Sequence, residues 1–426
     1  MKKWLFRNFV LFCLLCFSFN VKAAFILLPM EVETQQNHLK AYGITYWALD
    51  KSYKVSWLLN YRGGSFLLPD APEIRKECQV RGVTFEVLSD AAANGILDEI
   101  SAPSQNMETV VLEKAPKIAV YTPKGKQPWD DAVTMVLTYA EIPYTEIYDE
   151  EVLSDQLLLY DWLHLHHEDF TGQYGKFFGN YKNAPWYIQQ KADAEALAKK
   201  LGYSKVSQEK LAVAKKIRDF VIGGGFMFAM CSATDSFDIA LSAEGVDICE
   251  PMFDGDDSDA NYQSAIDFSA TFAFKNYKLE RQPTVYEFSD IDTTEEHGKG
   301  VFTMDKDYFT LMEYSAKWDP IPTMLCQNHT QLVKGFMGQT TAFSADKIKS
   351  NVLVMGECKI NGEARYIHGT KGKGMFTFYG GHDPEDYQHR VGDAPTVLDL
   401  HPNSPGYRLI LNNVLFPAAR KKKLKT

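Results

Sequence analysis

The chain has 426 residues, 45% of them hydrophobic, 13% aromatic and 23% charged, with a formal net charge of −10. That length suits one large domain with a smaller one beside it. The acidic balance excludes a general nucleic-acid binder, which needs a basic face.

Met1 to Arg7 is a basic segment, Phe9 to Phe19 an apolar run too short for a membrane span, and Val21-Lys22-Ala23 a small-residue cleavage signal. Residues 1–23 therefore read as a signal peptide cleaved near Ala23, which predicts export to a bacterial periplasm with no membrane span left after cleavage. Five cysteines follow it: Cys78, Cys231, Cys249, Cys326 and Cys358. An odd number leaves at least one thiol unpaired or bonded to another molecule, and the spacing matches neither a zinc ribbon nor a disulfide framework.

Residues 24–113 read as a small N-terminal α/β unit. Val55 to Leu59 and Ser65 to Leu68 are strands around a Gly63-Gly64 turn, Ile74 to Gly82 is a helix, and Val83 to Leu88 another strand. Its strands are expected to join the main sheet. The polar stretch 101–115, followed by Pro116, is the expected boundary.

A second domain, 116–420, opens with strand Lys117–Tyr121, a helix from Trp129 to Glu141, and strands at Thr145–Tyr148 and Trp162–His166. This rhythm predicts an α/β fold with a doubly wound, mostly parallel sheet. Polar spans at 171–206 and 250–300 read as insertions, the first a lid rich in aromatic residues. A basic tail, Arg420 to Lys425, reads as a solvated end.

Two segments carry the chemistry. Leu211, Ala214, Ile217 and Val221 follow helical spacing up to the stop Gly223-Gly224-Gly225, after which Phe226 to Met230 is a short buried strand. Ala229, Ser232 and Ala233 leave room for a tight turn that lifts Cys231 above the sheet at the start of a new helix, the position of a nucleophile. Gly374 to Tyr379 is a second such strand, and Gly380-Gly381-His382-Asp383-Pro384-Glu385 follows it. Both sites lie past the C-terminal end of a strand, where open α/β sheets form their sites.

His164-Leu165-His166-His167-Glu168 ends another strand at the same edge. Imidazoles with a carboxylate suit zinc or manganese, so His166, His167 and Glu168 are candidate ligands; hydrogen bonding to a substrate is the alternative. The acidic run Asp254 to Asp259 fails as an EF-hand, because the sixth position is Asp259 instead of glycine and the twelfth is Ala265 instead of glutamate.

The elbow cysteine with a later histidine resembles the class I glutamine amidotransferase-like superfamily, a flavodoxin-like fold. Within it, Ala233-Thr234-Asp235-Ser236 and Gly381-His382-Asp383-Pro384-Glu385 are most similar to the trehalose-utilisation (ThuA-like) branch. Three departures stand out. Ala229 and Ala233 take the places of the two glycines around the glutaminase cysteine, and the acids after His382 are one and three positions on instead of two. In the ThuA-like branch the elbow is often histidine, which Cys231 replaces. Similar chains sometimes carry the label asparagine synthetase B. That label implies an N-terminal nucleophilic cysteine and a Ser-Gly-Gly-x-Asp-Ser-type loop, and this sequence has neither.

Two functions compete. In the first, an exported hydrolase or transferase acts on a small amide-, ester- or carbohydrate-type substrate. Cys231 attacks, His382 activates it, Asp383 or Glu385 orients the imidazole, and main-chain N–H groups near Ser232 hold the oxyanion. In the second, a non-catalytic envelope protein binds a sugar or peptide through His166, His167, Asp235 and His382. An envelope partner contacting the insertions is a third expectation.

Overall fold

A computed structural model describes residues 23–419 except 126, 294–306, 360 and 389. The leader up to residue 22, the basic tail and part of the second insertion lie outside the described residues.

Five strands, β1 (Ala23–Leu28), β2 (Val55–Leu59), β3 (Ser65–Pro69), β4 (Glu86–Ser89) and β5 (Glu108–Leu112), form an antiparallel sheet in the order β4-β1-β3-β2-β5. The expected hairpin is present, with Ser56 opposite Leu67. The strands pair with one another and form a sheet of their own, contrary to the expectation that they join the main sheet. Side-chain alternation explains why. Ile26, Leu28, Trp57 and Phe66 face the large core shared with the second domain, while Leu27, Leu58 and Leu67 face the helix Asp90–Ser101. With both faces covered and backbone partners found within the unit, the sheet is completed without the main sheet, with β4 and β5 as its edges.

The second sheet contains β6 (Ile118–Tyr121), β7 (Thr145–Ile147), β8 (Trp162–Leu165), β9 (Phe226–Met230), β10 (Tyr308–Leu311), β11 (Leu332–Lys334), β12 (Phe343–Ser344), β13 (Leu353–Cys358), β14 (Glu363–Lys371) and β15 (Gly374–Tyr379). Its order is β11-β10-β13-β14-β15-β9-β8-β6-β7, with β12 on β14. From β15 to β7 every pairing is parallel; from β11 to β15 every pairing is antiparallel. The sheet is thus mixed, with a doubly wound parallel core and an antiparallel wing. The wing is hard to read from sequence, because β10 alternates exposed and buried over only four residues and β11 has three.

Taken in chain order, the parallel strands run 2-1-3-4-5, one of the two common orders of doubly wound sheets. Their alternate residues feed two cores. Ile118, Val120, Phe228 and Met230 pack under the helices Ala132–Tyr139 and Pro405–Leu415. Ala119, Tyr121, Met227 and Ala229 pack under the helix Val206–Gly223. The helix His38–Asp50 is buried against Ala132–Tyr139 and Pro405–Leu415. Gly43 permits that approach, since a Cβ there would sit 1.9 Å from the Ala140 carbonyl oxygen.

The order reverses between β6 and β8, and a doubly wound sheet opens its crevice at the C-terminal end of such a switch point.

Candidate functional site: a buried histidine–aspartate cluster

The loop after β6 carries Trp129, Asp130 and Asp131. Asp131 caps the helix Ala132–Tyr139 by accepting the Thr134 N–H at 2.8 Å. β8 delivers His164 and then His166 and His167, and the loop after β15 delivers His382. Backbone bonds tie these segments together: Cys231 N–H to the Gly381 carbonyl at 3.1 Å, and Ala233 N–H to the His166 carbonyl at 2.9 Å. Gly381, at φ +95°, makes the turn that places His382.

The His166 and His382 rings stack with centroids 4.2 Å apart, and His167 lies 4.9 Å from His166. Ligand atoms of His166, His167 and His382 all fall within 4.8 Å of one another. A second group, Asp131, His164 and His166, meets the same limit. Buried His/Asp triads here could hold a metal. Asp131 Oδ2 lies 3.2 Å from His166 Nδ1 and 3.4 Å from His164 Nε2, and Asp130 Oδ1 lies 3.2 Å from His382 Nε2. Both nitrogens of His167 are buried without a hydrogen-bond partner.

Charge follows from this packing. Burial would raise the Asp131 carboxyl, yet the facing imidazoles of His164 and His166 hold it well below the usual range. Asp130, also penalised by burial, is held down by its bond to His382. Burial drives His167 well below an ordinary histidine, helped by His166 and His382, and lowers His164 against the pull of Asp131. At neutral pH the neutral imidazoles of His164 and His167 stand beside the ionised carboxylates of Asp130 and Asp131.

Glu168 departs from the expected ligand set. It points to the other side of the chain, where burial pushes its carboxyl up to about 7 against the pull of Lys210. His382 takes the third place in the metal group. β8 ends at Leu165 and the chain bends at His167, so strand alternation, which would put Glu168 on the face of His166, no longer holds there.

Cys231 does sit at an elbow. It is 2% exposed, at φ +53°, a left-handed conformation that a residue with a Cβ adopts only under constraint. Its Sγ accepts the Gln339 N–H at 3.4 Å, and burial pushes the thiol up to about 11 despite amide donors at Gln339, Ser232 and Thr340. The Ser232 hydroxyl is buried without a partner. Asp235 accepts a bond from Thr340 at 2.9 Å and is pushed by burial up to about 7. The acids after His382 face elsewhere: Asp383 accepts the Tyr407 hydroxyl at 2.7 Å, and Glu385 bonds Tyr387 and His401. The carboxylate that orients the imidazole is Asp130, which the sequence places inside a helix from Trp129, whereas the helix begins only at Ala132.

The first insertion lays an aromatic layer over the cluster. Trp129 meets His167 edge-on at 5.2 Å and packs on Phe177 and Trp186. Beside it, a cleft of about 420 Å³ runs between the loops after β6 and β8 and the helix Pro185–Lys200. In the acidic run 254–259, Asp254 and Asp256 pair with Lys205, which also bonds Asp247. All five described cysteines are free. No helix among the described residues is long and apolar enough to cross a membrane.

No family model matches the chain, and no curated protein does. Two solved structures from Salmonella typhimurium are similar in part. Cytoplasmic Protein STM3548 is 11% identical, with a TM-score of 0.34 over 72% of this chain and 100% of that one. Cytoplasmic Protein STM1381 is 13% identical, with a TM-score of 0.35 over 71% and 100%. At these scores neither bears on the chemistry of the site.

Proposed function

We propose that this protein is an exported hydrolase of the amidotransferase-like fold class that acts on a small amide-, ester- or carbohydrate-type substrate. Its centre holds a divalent transition metal, zinc or manganese, through His166, His167 and His382. The observation that carries this reading is the convergence of those three imidazoles, with both His167 nitrogens unpartnered, in front of Asp130 and Asp131. Three histidines are a catalytic zinc set, and the metal supplies a water that ionises near neutral pH. Asp131 fixes the ring of His166 and Asp130 that of His382, as carboxylates behind metal-bound histidines do. The fold resemblance and the N-terminal leader support the superfamily and the periplasmic location.

Protein purified without an affinity tag should contain close to one zinc or manganese per chain after loading, by elemental analysis. The His166→Ala, His167→Ala double variant should contain almost none. Equal and negligible metal in both would overturn the reading and leave the cluster as ligand-binding machinery.

A second reading, a cysteine nucleophile at Cys231, is favoured by the strained elbow and its amide donors. Under the metal reading Cys231, buried and with its thiol pushed up to about 11, labels slowly with iodoacetamide at neutral pH and His382→Ala leaves that rate unchanged. Rapid labelling of Cys231 that slows in His382→Ala would put the cysteine mechanism first.

A further inference from the structure

A second cavity lies at the opposite edge of the main sheet from the histidine cluster. β15 runs parallel to β9, and β14, β13 and β10 then alternate in direction, so the end of β10 points away from the strand ends that carry His166 and His382. There residues 311–314, the helix Pro320–Cys326 and the turn after it face three loops of the first unit: those after β1, between β2 and β3, and before β5. They enclose about 600 Å³, within the range of about 300–1,000 Å³ that takes a small ligand. Among the described residues no lysine or arginine lines this cavity. Of its three glutamates, Glu31 pairs with Arg62 at 2.6 Å and Glu313 accepts the Gln331 amide, which leaves Glu33. The Gln105 side chain bonds nothing among the described residues. The His329 ring lies 4.6 Å from that of the buried His38, and its Nδ1 is buried without a hydrogen-bond partner. The walls thus offer hydrogen bonds and no cation for an anionic ligand.

Past Gln105, Asn106, Glu313 and Tyr314 the cavity continues onto a shelf that Trp318 also lines. Trp318 is 77% exposed, yet the backbone beneath it is held. Its N–H and that of Asp319 both reach the Ser315 carbonyl, at 3.2 and 2.7 Å. Ala316 N–H bonds the Asn106 side chain at 2.8 Å, and the Lys317 ammonium bonds the Ile100 carbonyl at 3.1 Å. An indole left in water forgoes the free energy of burial, and one on a fixed backbone loses little freedom when a ligand covers it. Its neighbours on the shelf include Ser104, Gln105, Asn106, Ser315 and Lys317, so it is not the centre of an apolar patch of the kind that forms a protein interface. A flat aromatic face bordered by hydroxyls and amides matches a sugar, whose ring C–H groups lie on the indole while its hydroxyls bond around the edge. We propose that this groove binds a neutral oligosaccharide, with one unit stacked on Trp318 and another reaching into the cavity toward Gln105 and His329. It is a second binding site, independent of the hydrolytic centre.

The test is calorimetric titration of the whole protein with maltotetraose, cellotetraose and the tetramer of N-acetylglucosamine, which all present C–H faces and differ in linkage. Saturable binding of at least one is expected. Trp318→Ala should weaken it roughly tenfold, the scale of a lost ring contact, and Trp318→Phe much less. Gln105→Ala should weaken it roughly fivefold, the scale of a lost neutral hydrogen bond. Trp318 is exposed enough that its replacement leaves the fold intact. No saturable heat with any of the three sugars, or wild-type affinity in both Trp318→Ala and Gln105→Ala, would overturn the proposal. So would self-association that Trp318→Ala abolishes in sedimentation, which would make the ring a contact between copies of the chain. Binding kept in Trp318→Ala and lost in the His166→Ala, His167→Ala double variant would place the sugar in the histidine cluster, overturning this site while supporting the hydrolase reading.

Discussion

Lys210→Met is expected to lower the unfolding free energy by about 3–5 kcal/mol, because it leaves buried carboxylates without their counter-charge. Lys210 and Asp149 are 5% and 1% exposed at their side chains, so neither can turn to water. The loss is a large fraction of the stability of an ordinary domain. Burial would lower the lysine, yet Asp149, Tyr121 and Tyr148 hold it well above its usual value. A raised cation contributes its stability fully below the unfolded-state value and loses it as pH rises through the folded one, so the effect is complete at neutral pH. Urea denaturation at pH 7 measures it. A change below about 1 kcal/mol would mean that Glu168 and Glu209 simply take up protons and the pair contributes little.

Asp131→Ala should cost about 1 kcal/mol for the lost helix cap and lower metal affinity by roughly 10–100-fold through the freed His166 ring. Asp131→Asn separates the two effects. Its side-chain oxygen can still accept the Thr134 N–H, so the cap survives and any loss of stability reports the charge facing His164 and His166, while metal affinity falls. Competition with a chelator gives the affinity and thermal melts the stability. Wild-type affinity in both variants would remove Asp131 from any part in the centre. The depressed carboxyl also sets a sign: its stabilisation is present above the ordinary value of 3.8 and is lost as pH falls below it.

Sequence reading reached the segments of the site and only some of its contacts. The elbow at Cys231, the strand ends at His166 and His382, and the helix stop at Gly223 are local signals, written in residues that neighbour one another. The partners are not local. Asp130 meets His382 across 252 positions, and Lys210 meets Asp149 across 61. Nothing near either residue marks it: Asp130 falls within the helix expected from Trp129, and Lys210 lies among the polar positions of a helix whose apolar face alone is patterned. Glu168 shows the reverse error. Following two histidines in sequence, it reads as a third ligand, and the bend of the chain after β8 sends it towards Lys210 instead.

What the sequence by itself determined is the type and order of the strongly patterned elements: the parallel strands as short apolar runs, the helices between them at 3.6-residue spacing, and the glycine stops that place chemistry at the sheet edge. Those features depend on interactions within a few residues. Only the tertiary structure decided that the first unit closes its own antiparallel sheet, that an antiparallel wing extends the parallel core, and that the histidines meet Asp130 and Asp131 at the switch point. Strand pairing, burial and the charge state of a buried group are set by what comes from far along the chain to exclude water, and no local pattern carries that information.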